Sequence, residues 1–432
     1  MENLLNSNSN KNQNIYLGNK IFLLGVFFLP SALPISGIFL FISLVFSFKN
    51  RITFSLKDKL NYPLFISIGL IIFSTFNVIL INRPSTLLDF NVAFIWLNLF
   101  NWIPIFIFYW GFQNYLAITS QRLLFAKFIL SGTFPVIISC ILQKFFNLYG
   151  PFKTLFGSIV WFQKPLVDNS APISGLFSNP NYTSIWLCLV LPFSLILLRR
   201  SSKLSLKNIF LAFLSLLIIY MIVLTGSRNG IIAIGITAII LYGYKKFFLV
   251  TIPLFFLASI TKFFGFFINN DINFFNNIFP KALIKKIFET NFQHQYRLDI
   301  WSSAFSRIQE RPFLGWGPST FSFLHIENNK VFFPPKIMLD AQHSHNIILE
   351  LSHNFGIPLA IILVSSIFYL LLKSWPIVYS SLNKNSSSII DIAWFSSSVI
   401  VFVNSLTDIT HYDGKISIFI GALFAGLRCI IR

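Results

Sequence analysis

Charge is what this chain has least of. Asp, Glu, Lys and Arg make up 11% of its 432 residues, against 55% hydrophobic ones, and the mean hydropathy is +0.71. Soluble globular domains carry about a quarter charged residues, so a soluble fold is excluded. Acidic side chains are scarcer still, 14 against 33 Lys and Arg, which leaves a formal charge of +19. Nucleic acid would suit such an excess, but the basic residues stand in short clusters between apolar runs. There is no basic stripe on a soluble domain and no nucleic-acid module. The clusters fit the positive-inside rule for cytoplasmic loops.

Cysteine is nearly absent. Cys140, Cys188 and Cys429 fall within apolar runs without a CxxC or CxH grouping, so neither a disulfide framework nor a thiolate metal site is supported. Also missing are a nucleotide-binding loop, an HExxH motif, an internal repeat of about 20–50 residues and a second domain.

What is present is apolar length. Runs of about 18 or more apolar residues recur to the end of the chain, the mark of membrane-spanning helices, and Phe alone occurs 54 times. Residues 1–20 are polar, without a basic stretch running into a short apolar core, so they read as a flexible cytoplasmic tail rather than a signal peptide. Residues 21–432 read as one transmembrane domain. Ile21–Phe48 contains Pro30, Pro34 and Gly37 and should form two short helices in a hairpin. Further crossings are expected at Tyr62–Asn82, Phe90–Phe112, Leu123–Phe146, a helix ending at Leu198, Ile209–Leu224, Ile231–Tyr244, Phe247–Phe267, Phe355–Leu372, Ile389–Leu406 and Ile416–Ile430. Lys49, Lys59, Arg122, Lys127, Arg199, Arg200, Lys245, Lys246, Lys373, Lys384, Arg428 and Arg432 then share one side, with both termini. The expectation is an all-α polytopic membrane protein of about 12 transmembrane helices, with external loops near 147–181 and 268–344.

The second loop carries short amphipathic helices. KALIKKIF is one; Tyr296–Gln309 is another, with Leu298, Trp301, Phe305 and Ile308 on one face. Arg311-Pro312 ends it and GWGPSTF forms a turn. In GLFSNPNYTS, Asn179-Pro180-Asn181 is turn chemistry, and Asn181 or Thr183 suits the cap of the next helix.

Four features offer chemistry. Arg228 lies in TGSRNG between two apolar helices, where an arginine is costly unless it meets water or an anion. Ser227 or Asn229 can cap the following helix and turn its free N–H groups on the same space, giving an anion site; the bland alternative is an interfacial anchor. Arg297 could close a bidentate clamp on pyrophosphate, or be a solvated surface arginine near Asp299 and Glu310. His343 and His345 flank Ser344 and precede Glu350 and His353, and a neutral imidazole suits a general base. The rival is a metal held by both with His353, or with Asp408, His411 and Asp413. All six histidines (His294, His325, His343, His345, His353 and His411) fall on or near the external side.

TGSRNG, YRLDIW, GWGPSTF and HSHNIILELSHNFGIP, in that order and preceded by GLFSNPNYTS, resemble the O-antigen ligase and polymerase superfamily over roughly Gly175–Pro358. The resemblance implies metal-independent, inverting glycan transfer without a cofactor at the outer face of the bacterial plasma membrane. The donor would be a glycan on undecaprenyl pyrophosphate. The acceptor would be a hydroxyl of a lipid core, a glycan or a protein. Arg228 and Arg297 match arginines that hold the pyrophosphate, and His345 matches the histidine that activates the acceptor. The pattern departs at Ala171-Pro172-Ile173-Ser174, where family members often carry another arginine; Lys153 or Lys164 would have to replace it. A glycan polymerase and a transporter of a small anion such as bicarbonate are the alternatives, the latter without the inverted repeat such proteins show.

Overall fold

The computed structural model describes residues 2–49, 58–81, 83–167, 171–200, 205–249, 251–252, 291–329, 341–382 and 387–432. Among the described residues, seven helical segments are long and apolar enough to cross a membrane: Lys59–Ile81, Ala93–Gly111, Thr119–Phe146, Pro180–Arg199, Leu206–Leu224, Ile357–Ser380 and Gly414–Ile431. Four shorter apolar helices accompany them, Asn14–Phe28, Leu33–Phe48, Arg228–Tyr242 and Ile390–Ser405. The crossing expected at Phe247–Phe267 and the segment KALIKKIF lie mostly or wholly outside the described residues, so this is a polytopic helical membrane protein with seven candidate spans of full length. Helix is the form such a chain takes because a bilayer offers the backbone no other partner.

Prolines set the breaks. Helices α1 (Glu2–Phe28) and α2 (Leu33–Phe48) form the expected hairpin around Pro30. The Ser36 hydroxyl donates to the Gly25 carbonyl at 2.7 Å, and a Cβ at Gly25 would strike Leu40. The backbone is helical from Glu2 onward, so residues 2–20, expected as a loose tail, make up about two thirds of α1. Next come α3 (Tyr62–Phe76), continued by a π turn over Asn77–Ile81, then α4 (Ala93–Asn98), α5 (Ile103–Gly111) and α6 (Gln113–Leu116). The run Thr119–Phe146 is two helices, α7 (Thr119–Gly132) and α8 (Phe134–Phe146), parted at Thr133 before Pro135.

Among the described residues, one pair of strands stands among the helices. Within the loop near 147–181, β1 (Phe152–Thr154) and β2 (Ile159–Trp161) pair antiparallel. Helices α9 (Pro180–Arg199), α10 (Leu206–Leu224) and α11 (Arg228–Tyr242) follow, then α12 (Asn291–Glu310), α13 (Phe321–Asn329), α14 (Ile347–Phe355), α15 (Ile357–Leu382), α16 (Ile390–Ser405) and α17 (Gly414–Ile431). The core lies among α7, α9, α16 and α17, where Trp186, Phe193, Trp394, Phe125 and Phe419 are fully buried and stack with centroids 4.9–6.4 Å apart. The Ser397 hydroxyl donates to the Leu189 carbonyl at 2.8 Å, the interhelical polar contact that small residues permit in a membrane.

At the Lys/Arg-rich end, Arg122 grips Asp391 with two bonds of 2.7 and 2.9 Å, and Asp58 meets Arg428 and Arg432. At the opposite end, the large loop docks on α14. Trp316 N–H donates to His353 O at 2.7 Å and Gly317 N–H to Asn354 O at 2.9 Å. Gly315 and Gly356 hold left-handed φ values of +65° and +96°, and a Cβ on either would run into the facing backbone. The α12 face differs from the one expected. Leu298 and Phe305 are exposed while Ile300, Ala304 and Ile308 are buried. Small Ala304 lets α12 close on Phe321 and Ala341, so fit outweighs side-chain size.

Candidate functional site

The stretch Gln342–Pro358 is shaped by one buried carboxylate. Asn346 caps α14, its Oδ1 accepting from Ile348 and Leu349 N–H at 2.9 and 3.2 Å, while its amide donates to Leu406 O at 3.0 Å. Glu350, on the first turn, is 2% exposed. It accepts from Ser344 N–H at 2.9 Å, the Tyr412 hydroxyl at 2.6 Å and the Asn354 amide at 3.1 Å, with the Ser344 hydroxyl at 2.9 Å. Burial works against its charge, but His343 and these donors prevail and hold the carboxyl below its ordinary range. Ser344 is thereby fixed between the two histidines, and His345 turns out of the chain at φ +52°.

His345 Nδ1 lies 3.0 Å from Asp408 Oδ1, with the two side chains 23% and 7% exposed. Asp408 stands in the turn between α16 and α17. Its Oδ1 also accepts from Ile409 N–H at 2.9 Å, and its Oδ2 from the Asn181 amide at 3.2 Å. Burial raises its carboxyl, but the hydrogen bond and charge of His345, then His343 and Arg297, take it below the usual carboxylate range. An ionised acceptor at Nδ1 keeps the ring proton there and leaves Nε2 as the basic nitrogen. No described residue takes up Nε2.

Sequence reasoning named Asp408 only as a metal ligand. Asp408 lies 63 positions after His345, and no spacing in the sequence links the two; only its place in an external turn with His411 marks it. The helix cap expected at Asn181 or Thr183 stands two residues earlier than Asn181. The cap is Asn179, which accepts from Asn181 N–H at 2.8 Å and frees the Asn181 side chain for Asp408.

Arg228 opens α11 at the same end of the bundle, and Ser227 caps that helix with its hydroxyl 3.4 Å from Gly230 N–H. Gly226, at φ +62°, lies beside Pro172, and Ile173 N–H donates to Leu224 O. Arg297 is near enough for its charge to act on both Arg228 and Asp408. The two arginines and His345 thus share one region. Asn229 follows Arg228 and bonds to the turn after α16. It donates to Asn404 at 3.1 Å and accepts from Thr407 at 3.2 Å, tying α11 to the turn that carries Asp408. Lys153 and Lys164 are exposed. A cation nearer the GLFSNPN segment is Lys415, whose ammonium donates to Leu176 O at 2.9 Å and lies 4.3 Å over the Phe177 ring.

The remaining histidines divide. His343 packs edge-on against His345, centroids 4.2 Å apart, and burial, then the neighbouring His345 charge, pushes its pKa down. His411 stacks on Trp102 at 4.5 Å, and burial drives it to about 4. His353 and His325 are buried against Phe321. Of the metal sets considered from sequence, ligand atoms of His343, His345 and Asp408 lie within 4.8 Å of one another; among the described residues His353, His411 and Asp413 do not join them.

No curated protein matches the chain. The O-Antigen ligase family does, over residues 184–364, a stretch that contains Arg228, Arg297, His343, His345 and Glu350 but neither Asn181 nor Asp408. It gives the anion-transporter alternative no support. That match supports an O-antigen ligase-like superfamily for the chain, with glycan transfer as its general chemistry.

Proposed function

We propose that the chain transfers a glycan from undecaprenyl pyrophosphate to a hydroxyl acceptor at the outer face of the bacterial plasma membrane, with both termini in the cytoplasm. The observation that carries this reading is the His345–Asp408 pair in the same region as Arg228 and Arg297. His345 Nε2 takes the acceptor's hydroxyl proton as that oxygen bonds to the anomeric carbon on the face opposite the pyrophosphate. The anomeric C–O bond breaks and its electrons leave with undecaprenyl pyrophosphate, so the anomeric centre inverts. Arg228, Arg297 and the N–H groups that open α11 behind Ser227 stabilise the leaving anion. Asp408 holds the imidazole and balances the imidazolium that forms. Asn229 and Glu350 position these groups rather than touch substrate. The acceptor is a lipid core, a growing glycan or a protein, and the first two separate a ligase from a polymerase.

In proteoliposomes supplied with a polyprenyl-pyrophosphate-linked glycan, His345→Ala is expected to abolish transfer, while His343→Ala retains part of it. The reverse order would move the base to His343. A second reading rests on the His343, His345 and Asp408 cluster, which has the donors for a divalent cation. Two arginine charges beside it oppose a dication. Transfer is therefore expected to survive EDTA; loss to the chelator with rescue by zinc would favour the metal.

A further inference from the structure

The β1–β2 hairpin has no part in this chemistry, yet its tip carries the most exposed large apolar side chain among the described residues. Phe156 at its tip is 110% exposed and Leu155 53%, both at left-handed φ values of +55° and +48°. A bulky side chain is seldom held so. Tyr149, Phe152, Phe162 and Val167 are exposed around it.

The base, by contrast, is fastened. Trp161 Nε1 donates to Ser31 O in the α1–α2 turn at 2.6 Å, the Gln163 amide to Ser139 O at 3.0 Å and Gly150 N–H to Gln163 O at 2.8 Å. Ile159 is buried. The hairpin leaves α8 directly at the end of an apolar crossing, so its apolar surface continues the lipid-facing belt. Its charge has one sign. Phe90–Val167 contains no acidic residue, and Lys153 and Lys164 stand exposed on the hairpin.

We propose that this hairpin is an interfacial anchor whose Leu155-Phe156 tip enters the headgroup and upper acyl region of the leaflet on the site's side, with Lys153 and Lys164 against anionic headgroups. Phe and Leu on the apolar side of an interfacial segment enter the headgroup–acyl boundary, and basic groups near it are drawn to anionic lipid. The anchor also bears on the site's frame. Gln143, at the root of the hairpin, donates to Lys164 O at 2.8 Å and accepts from Ser174 and Gly175 N–H at 2.9 and 3.0 Å, just ahead of the segment that carries Asn181.

The test uses the full chain with Phe156→Cys, labelled with an environment-sensitive fluorophore and reconstituted into phosphatidylcholine–phosphatidylglycerol vesicles. The native cysteines are buried, so the label is confined to position 156. Blue-shifted emission, quenching by lipids nitroxide-labelled near the ester carbonyls and protection from aqueous iodide are expected. Iodide quenching without nitroxide quenching overturns the proposal; shielding from both does too, because protein would then cover the tip. Lys153→Glu with Lys164→Glu should weaken nitroxide quenching in vesicles containing phosphatidylglycerol and not in pure phosphatidylcholine. An unchanged signal in both would overturn the role given to the lysines.

Discussion

Asp408→Asn isolates the carboxylate's charge at nearly constant shape. Three contacts converge on Asp408, and each needs an acceptor oxygen: Ile409 N–H, His345 Nδ1 and the Asn181 amide. An asparagine supplies only one. Turned with its oxygen toward His345 and Ile409, it sets its own amide against that of Asn181, which can flip to accept. Turned the other way, it faces two N–H groups and drives the imidazole proton to Nε2, where a base is needed. The first orientation costs less, so the main loss is the negative charge beside the forming imidazolium. Two unit charges about 4 Å apart at an effective dielectric near 20 interact by about 4 kcal/mol. That corresponds to roughly a thousandfold in rate, within the roughly 100- to 10,000-fold range of a positioned general base. In proteoliposomes with a lipid-pyrophosphate donor, kcat should fall by that order while the donor KM changes little and the melting temperature holds. Turnover within about threefold of the parent would refute the pairing as a catalytic device and leave it structural.

Arg297→Lys should keep the charge but lose the fork that grips pyrophosphate, raising donor KM by roughly tenfold or more, read from initial rates across donor concentrations. Gly356→Ala should lower the melting temperature in detergent. Its φ of +96° and its contact with the Phe313 backbone make about 1–3 kcal/mol of destabilisation the expected cost. For His411, burial lowers the folded pKa to about 4, so between about 6.5 and 4 the unfolded chain binds a proton that the fold rejects. Stability is therefore present above that window and lost as pH falls through it, by about 3 kcal/mol from this residue. His411→Phe should remove that share, seen as a smaller drop in melting temperature between neutral and mildly acid pH; an equal drop refutes it.

Most helices could be read from the sequence because a bilayer leaves apolar runs one backbone solution and proline marks where each run must bend. The α1–α2 hairpin around Pro30 and the stop of α9 at Arg199 follow from that alone. The β1–β2 hairpin could not be read this way: strands of three residues are too short for a period, and their pairing depends on contacts with Ser31 and Ser139 far back in the chain. The α12 face was misjudged for a related reason. Leu298 and Phe305 are the larger side chains, but the helix closes where Ala304 is small.

The same physics divides the site. Arg228 and the histidine stretch stood out because a charge or imidazole at a membrane boundary is costly and therefore visible. The groups that hold them did not, because a buried amide or carboxylate looks ordinary until its partners are known. Asn229 read as a candidate helix cap beside Arg228, yet its amide bonds to Asn404 and Thr407, and so to the turn that presents Asp408. Glu350 read as one more polar residue near the histidines, yet it fixes Ser344 and with it the angle between His343 and His345. Asn181 reaches Asp408 from a loop far ahead of either. His345, Asp408 and the two arginines thus come from four separate stretches; the amides of Asn229 and Asn346 tie the Arg228 and His345 stretches to the turn after α16, and that of Asn181 reaches the same turn. That turn, Leu406–Asp413, is where a substitution touching no substrate should disturb catalysis most, since base and anion site both take their positions from it.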